Sequence, residues 1–365
     1  MESTAERFKK TVNFEFPEVI VTYDLVDNNQ ILQMYGGKSS DLVERNAQMC
    51  HRIGLDSTRY IHNPDLPWVH SKLEAWKRFF GINPEGWEVK DSGKTAWISR
   101  RPFSDFQGLE KHMPKVPKKE EVSEWWIPYV SHITEVFQEY DLVFVTAVEG
   151  PLTECYMYAG HELYFKALYK ARDLALELLE IFTQWGEVIA ELHAKHPTSP
   201  VFFLNDDVCG VNGPFVSPVF LEEVMVERWN RIYAPARKAG LKCIFHTDGN
   251  AHPIMKMLVE KVKIDGFNPI DKNAGMDIRR LRREFPRLLL FGGVDCVHTL
   301  PTGTVQDVER ETKELLRDIA PTGGFFLGSS SEVGPEVPPE NALAMYRTAK
   351  RHGRYPIDIE ALRDL

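Results

Sequence analysis

His246 and Asp248, in the segment HTDGN, form the most informative pair of reactive side chains in the chain. Positions i and i+2 of an extended segment point to the same side, so an imidazole and a carboxylate at that spacing can grip one metal ion. The same spacing also suits an Asp–His hydrogen bond that orients a buried histidine. A third ligand would come from Glu149, Glu332, Asp207 or Cys296, and spacing alone does not choose among them. Asp206 and Asp207 are paired carboxylates, but neighbours in an extended strand face opposite ways. At most one reaches a common site, and Asp207 is the expected one. Cys296, after GGVD, is more often a small packed side chain at such a place than a thiolate ligand.

These residues need a frame that points them at one another. Eight short apolar runs recur along the chain: Val19 to Tyr23, Ser57 to Ile61, Leu142 to Ala147, Val201 to Leu204, Lys242 to Phe245, Ile264 to Phe267, Leu288 to Phe291 and Gly324 to Leu327. Longer helix-periodic stretches separate them, which argues for βα units. Eight such units close a parallel barrel with helices outside, and in that architecture reactive groups gather just after the strands. There stand Asp24, His62, Glu149, Asn205 to Asp207, His246 to Asp248, Asn268, Asp295 with Cys296, and Ser329 to Glu332. Taken singly, each caps the next helix. Together they bring more acid to one rim than capping requires, and that acid repels itself unless protonated or bound to a cation.

The predicted fold is a single (β/α)8 TIM barrel over residues 1–365, with an N-terminal extension and an insertion at about 65–125 between strands two and three. Within the insertion, Trp87 to Ser99 alternates with period two around a Ser-Gly turn and reads as a β-hairpin. The Pro- and Lys-rich connector after it leads into a helix expected at Ser123. Ser217-Pro218 starts a helix running to about Lys238, with Gly240 as its stop, and Pro338-Pro339-Glu340 starts the last one.

Composition narrows the function classes. The formal charge is −9, from 44 Lys+Arg against 53 Asp+Glu, so no overall positive field attracts nucleic acid. The basic cluster Arg279, Arg280, Arg282 and Arg283 reads as the solvated face of a helix. Five scattered cysteines make neither a disulfide scaffold nor a zinc knuckle, and fit a reducing cytoplasm. The first residues lack a signal-peptide core, and no apolar run has the roughly 18 residues of a membrane span. The glycine pairs Gly292-Gly293 and Gly323-Gly324 form no phosphate fingerprint, and there is no Gly-x-Ser-x-Gly elbow. The 21 Phe, 12 Tyr and 8 Trp are mostly core, though they permit a pocket for a flat ring.

The segments NDDVCGVNGPFVSPVFLEEV, KAGLKCIFHTDGN, IDGFNPIDKNAGMDIRRL, LLLFGGVD and GSSSEVGPEVPPENALAMY resemble the uroporphyrinogen decarboxylase superfamily, most closely its cobalamin-dependent methyltransferases. The likeness is specific from about Leu142 to Tyr346 and implies a TIM barrel. True decarboxylases carry Met-Arg-Gln-Ala-Gly-Arg after the first strand, where this chain has VTYDLVDNN. Directly after strand two, where they carry Phe-Ser-Asp, this chain reads His62-Asn63-Pro64, and it has Leu327-Gly328-Ser329 in place of Leu-Gly-His. A tetrapyrrole is therefore not held here in the family's way.

The methyltransferase branch binds zinc with His-x-Cys after strand five and a cysteine after the last strand. Carried over, these fall on His246, Asp248 and the Ser329 to Glu332 segment, so oxygen replaces both thiolates. The implied ligands are His246, Asp248 and Glu332; Asp207 and Glu149 orient the substrate or ligate further, and Asn205, Asn268 and Ser330 contact the substrate. An oxygen-rich site leaves zinc a stronger Lewis acid, suited to an ether oxygen rather than a thiol. The resemblance thus implies demethylation of a methoxylated aromatic or similar methyl donor, with the methyl passing to a corrinoid (cobalamin). No Asp-x-His-x-x-Gly segment binds the corrinoid in this chain, so it arrives on a partner corrinoid protein that docks at the barrel mouth, with the hairpin as one docking candidate. A homodimer is compatible with the sequence. The competing expectations are a metal-free decarboxylase and a non-catalytic barrel that binds a corrinoid or its carrier.

Overall fold

The apolar runs become parallel strands in a computed structural model that describes residues 2–66, 68–92 and 96–362. They are β1 (Val21–Thr22), β2 (Ser57–Thr58), β3 in two pieces (Val143–Phe144 and Ala147–Glu149), β4 (Val201–Asn205), β5 (Lys242–His246), β6 (Gly266–Asn268), β7 (Leu289–Phe291) and β8 (Phe325–Leu327). A parallel ladder runs from the second piece of β3 through β4, β5, β6, β7 and β8 to β1. β2 pairs with the first piece of β3, and a parallel bridge from Tyr23 to Ser57 returns the ladder to β1. The result is the eight-stranded TIM barrel that the alternation of runs predicts.

Period-two alternation fills the interior. Val21, Tyr23, Val143, Val145, Val201, Phe203, Ile244, Leu289, Phe291 and Phe326 form one buried cluster inside the barrel. The N-terminal extension joins it: helix Thr4–Val12 adds Phe8 and Val12, and the Phe8 ring lies 4.7 Å from that of Phe326. Arg7 of this helix pairs with Asp56, just before β2, at 2.7 Å, so the extension plugs the end of the barrel where strands begin. The opposite end stays free for chemistry.

The insertion contains helix Trp68–Phe80 and an antiparallel pair of strands, Glu88–Asp91 and Ala96–Arg100. The Gly93 of the expected turn lies outside the described residues. The helix expected from Ser123 starts earlier, at Lys119, and runs to Glu139. Ser217 caps the helical run from Pro218 through its Oγ, which accepts from Phe220 N at 3.1 Å, and that run ends at Lys238. The basic cluster departs from the expected solvated face at one residue. Arg282 is buried, and its guanidinium donates to the carbonyls of Pro286, Leu288, Gly323 and Gly324, tying helix Ile278–Glu284 to β7 and β8. Among the described residues no helix is long and apolar enough to cross a membrane.

Parallel register sets the level of the polar residues at the mouth. His246, the last residue of β5, lies opposite Asn205 of β4 on one side and Asn268 of β6 on the other. Glu149 of β3 lies opposite Asn205. One layer of the barrel thus carries Glu149, Asn205, His246 and Asn268 around its rim.

Candidate metal centre

Just above that layer, β4 and β5 continue into Asp207 and Asp248. Ligand atoms of Asp207, His246 and Asp248 all lie within 4.8 Å of one another. His246 Nε2 is 3.7 Å from Asp207 Oδ1. Tetrahedral zinc with bonds of about 2.0–2.2 Å holds its donor atoms roughly 3.4 Å apart, so this nitrogen and oxygen are already near ligand spacing. Asp248 N donates to Asp207 Oδ1 at 3.0 Å, and Ser331 Oγ donates to Asp248 Oδ1 at 3.1 Å. Thr247, between the two expected ligands, turns away: it is fully buried and its Oγ1 accepts from Val208 N.

The tautomer of His246 follows from its neighbours. Nδ1 is 2.6 Å from Asn268 Oδ1, which can only accept, and 3.0 Å from Arg59 Nη2, which can only donate; the shorter contact assigns the proton to Nδ1 and leaves the Nε2 lone pair towards the acids. Burial, and then the Arg59 guanidinium, hold the imidazole pKa well below its ordinary value, so the ring is neutral. Burial pushes both acids up, and Asp207 is pushed further by the charge of Asp248. A neutral nitrogen donor between two mutually repelling carboxyls is a donor set that a divalent cation would relieve, and the residues present fit zinc.

Asp206 and Asp207 divide the work that their adjacency suggests. Asp206 is fully buried and accepts from Thr153 N at 2.8 Å and Trp229 Nε1 at 2.8 Å. It anchors the start of helix Pro151–Ala159, and burial pushes its carboxyl up to about 6 despite those donors. The packing is tight: a Cβ on Gly150 would stand 2.2 Å from Asp206 Cβ. Asp207 faces the other way, into the triad.

The remaining expected residues fall into different places. Glu149 Oε1 accepts from Asn205 Nδ2 at 3.2 Å, while Asn205 Oδ1 is buried without a partner. Glu332 stands outside the triad. Its side chain reaches solvent at the mouth, but the walls around it, and then Asp27, Asp248 and Glu336, push its carboxyl up to about 7. Asn268 touches His246 rather than open space. Ser330, expected to contact substrate, is fully buried; its hydroxyl donates to Cys296 Sγ at 3.2 Å and accepts from Cys296 N at 3.0 Å. The serine that reaches the triad is Ser331, because successive residues of the loop alternate sides. Asp24 is buried and binds Ser329 and Tyr346, and Asp295 caps the backbone of Val297 and His298.

Two charged residues at the mouth escaped the sequence reading. Arg59 lies over the rings of Phe203, at 5.3 Å, and Tyr23, at 6.0 Å. It donates to Asn268 Oδ1 at 3.1 Å and to the Tyr23 hydroxyl. Its signal, a lone cation within the run Ser57 to Ile61, is hidden because that run reads as strand throughout, whereas β2 ends at Thr58. Lys72, on the insertion helix, is buried and pairs with Glu154 at 3.0 Å and Glu149 at 3.7 Å. Nothing local signals it, since its place depends on how the insertion packs. A groove of about 610 Å³ between helices Asn29–Tyr35, Val305–Asp318 and Pro339–His352 shares no residue with the triad.

The sequence profile of uroporphyrinogen decarboxylase (URO-D) matches residues 86–352, well over half of the chain. The chain belongs to the uroporphyrinogen decarboxylase family. A methyltransferase from Methanosarcina mazei has the same fold as this family member, with a TM-score of 0.71 at 19% identity over 96% of this chain and 99% of that one. More distant are the pneumococcal virulence factor StrH, with a TM-score of 0.45 at 12% identity over 92% of this chain and 83% of that one, and a xylose isomerase domain protein from Alicyclobacillus acidocaldarius subsp. acidocaldarius, with 0.41 at 12% over 93% and 98%. No curated protein sequence matches this family member.

Proposed function

We propose that the protein is a zinc-dependent methyltransferase, the ether-cleaving component of an O-demethylase, which moves the methyl group of a methoxylated aromatic, or a similar methyl donor, to a corrinoid protein. The observation that carries this reading is the nitrogen- and oxygen-only cluster of Asp207, His246 and Asp248 at the mouth of a barrel of this family. The Methanosarcina mazei protein of the same fold is a methyltransferase, which agrees with it. Bound zinc would supply Lewis acidity towards an ether oxygen. In the overall reaction the aryl O–CH3 bond breaks, the reduced corrinoid supplies the electron pair for its new bond to the methyl group, and the oxygen departs as phenolate.

The chain's own residues prepare that exchange. His246 offers a neutral Nε2 because Asn268 holds its Nδ1 proton. With a dication bound, Asp207 and Asp248 would supply two anionic oxygens, oriented by the Asp248 N–H and the Ser331 hydroxyl. Glu149, held by Asn205 and Lys72, and Glu332 stand beside them, as further ligands or as groups that face the donor. Asn268→Ala removes the acceptor that fixes the His246 ring, and is expected to weaken zinc binding roughly 10- to 100-fold, read by competition with a chelating dye. Unchanged affinity would show that Asn268 does not orient a ligand.

The reading is tested by offering methoxylated aromatics and a reduced corrinoid protein to zinc-loaded and chelator-treated enzyme, with release of the phenol as the signal. Phenol release only with zinc supports it. No release from any donor, with or without zinc, overturns it, and carbon dioxide release from a tetrapyrrole or small acid without zinc would favour the metal-free decarboxylase.

A further inference from the structure

The insertion sends one charged side chain into the wall of the metal centre. Lys72 lies on helix Trp68–Phe80 and is buried. Its Nζ donates to Glu154 Oε1 at 3.0 Å and stands 3.7 Å from Glu149 Oε2, with the centre of the Trp68 ring 5.7 Å away. Trp76, one turn further along the same helix, donates its Nε1–H to Glu154 Oε2 at 2.9 Å, so the insertion takes both oxygens of Glu154. Trp76 packs in turn against Tyr158 and Phe182, and Phe79 and Phe80 pack against Trp185. The insertion helix is thus fixed to helices Pro151–Ala159 and Arg172–Lys195, and Lys72 has a set place.

Glu149 is held from two sides. Asn205 Nδ2 donates to its Oε1 at 3.2 Å, and Lys72 attracts its Oε2. Burial works against the Lys72 charge, but Glu154 and then Glu149 outweigh it, so the group stays an ammonium. Glu149 lies close enough to the triad for its charge to push up the carboxyl of Asp207, after burial and Asp248. Yet it does not belong to the group whose ligand atoms lie within 4.8 Å of one another. Three protein donors leave a tetrahedral zinc one position, which a catalytic site keeps for water or substrate and a structural site fills. A further carboxylate so near would fill it, unless charge-assisted hydrogen bonds hold that carboxylate elsewhere.

We propose that Lys72 is a positioning residue: it draws Glu149 to the wall of the barrel mouth and so keeps one coordination position of the zinc open for the substrate. The inference rests on the metal centre of the proposed function, and not on which methyl donor or acceptor the enzyme uses. The insertion then supplies the charge that decides how many acids reach the ion.

The test is the zinc affinity of the full-length protein, by competition with a chelating dye, in Lys72→Met, Glu149→Gln and the double variant. Lys72→Met frees Glu149 to join the ion and is expected to bind zinc at least about tenfold more tightly, the scale on which partners of metal ligands act. The double variant returns to the affinity of the wild type. Glu149→Gln alone, which leaves the Lys72–Glu154 pair in place, binds zinc as the wild type does. Azide added to the cobalt-substituted proteins reports the open position through their visible spectrum: it binds the wild type and Glu149→Gln, but not Lys72→Met. A lysine with a structural role only would leave zinc affinity unchanged or lower when replaced, so either result in a folded Lys72→Met overturns the proposal. Weaker zinc binding by Glu149→Gln makes Glu149 a ligand of the wild type and also overturns it, which decides the matter should Lys72→Met fail to fold. A wild type that binds no zinc overturns the metal centre and this proposal together, whereas a zinc-binding wild type with failing variants overturns this proposal alone.

Discussion

His246→Ala is expected to drop bound zinc from about one equivalent per chain to below about a tenth after dialysis against a weak chelator. The triad has a single nitrogen donor, and the two carboxyls left behind repel each other without it. Methyl transfer should fall on the order of 10³-fold or more, because a Lewis acid supplies several kcal/mol at the departing oxygen. The fold should survive: His246 lies above the interior cluster and is not part of it. Elemental analysis beside circular dichroism reads both effects. A folded variant that keeps its zinc would remove His246 from the site.

The second large effect separates two adjacent residues. Asp206→Ala should destabilise the protein by about 3 kcal/mol or more, since it strands the buried Thr153 N–H and Trp229 Nε1–H. Asp207→Ala should cost less stability, because the half-buried acid is pressed against Asp248 and its loss leaves only the Asp248 N–H without its acceptor, yet it should abolish zinc retention. Urea midpoints and zinc content on the same samples distinguish the two. If Asp207→Ala proved the less stable variant, the orientation of the pair would be reversed from the one described.

Much of this arrangement was legible in the residues, and the misses have physical causes. The runs that became β4 and β5 were found to within a residue, because strands buried on both faces read as continuous apolar stretches. His246 and Asp248 stood out because the extended path of β5 continues past its last paired residue, which preserves their common side. The opposite facing of Asp206 and Asp207 follows from the same alternation. The neighbour of that pair in space was not legible: it depends on the register that sets Asn205 beside His246, and register is a property of two strands. Arg59 and Lys72 were missed for the same kind of reason, one by a strand that ends early and one by the packing of an insertion. Ser330 and Ser331 show the limit most clearly, since one residue of phase decides whether a hydroxyl meets Cys296 or Asp248. Arg282 shows that a charged run on a helix can hide a buried member whose long side chain finds four carbonyls.

The most direct measurement is X-ray absorption at the zinc edge of the purified full-length protein. The triad calls for a first shell of nitrogen and oxygen alone, at about 2.0–2.2 Å, with an imidazole signature that disappears in His246→Ala. A sulfur shell near about 2.3 Å would place a cysteine on the ion and contradict the oxygen-rich site, and absence of retained zinc would contradict the metal centre itself.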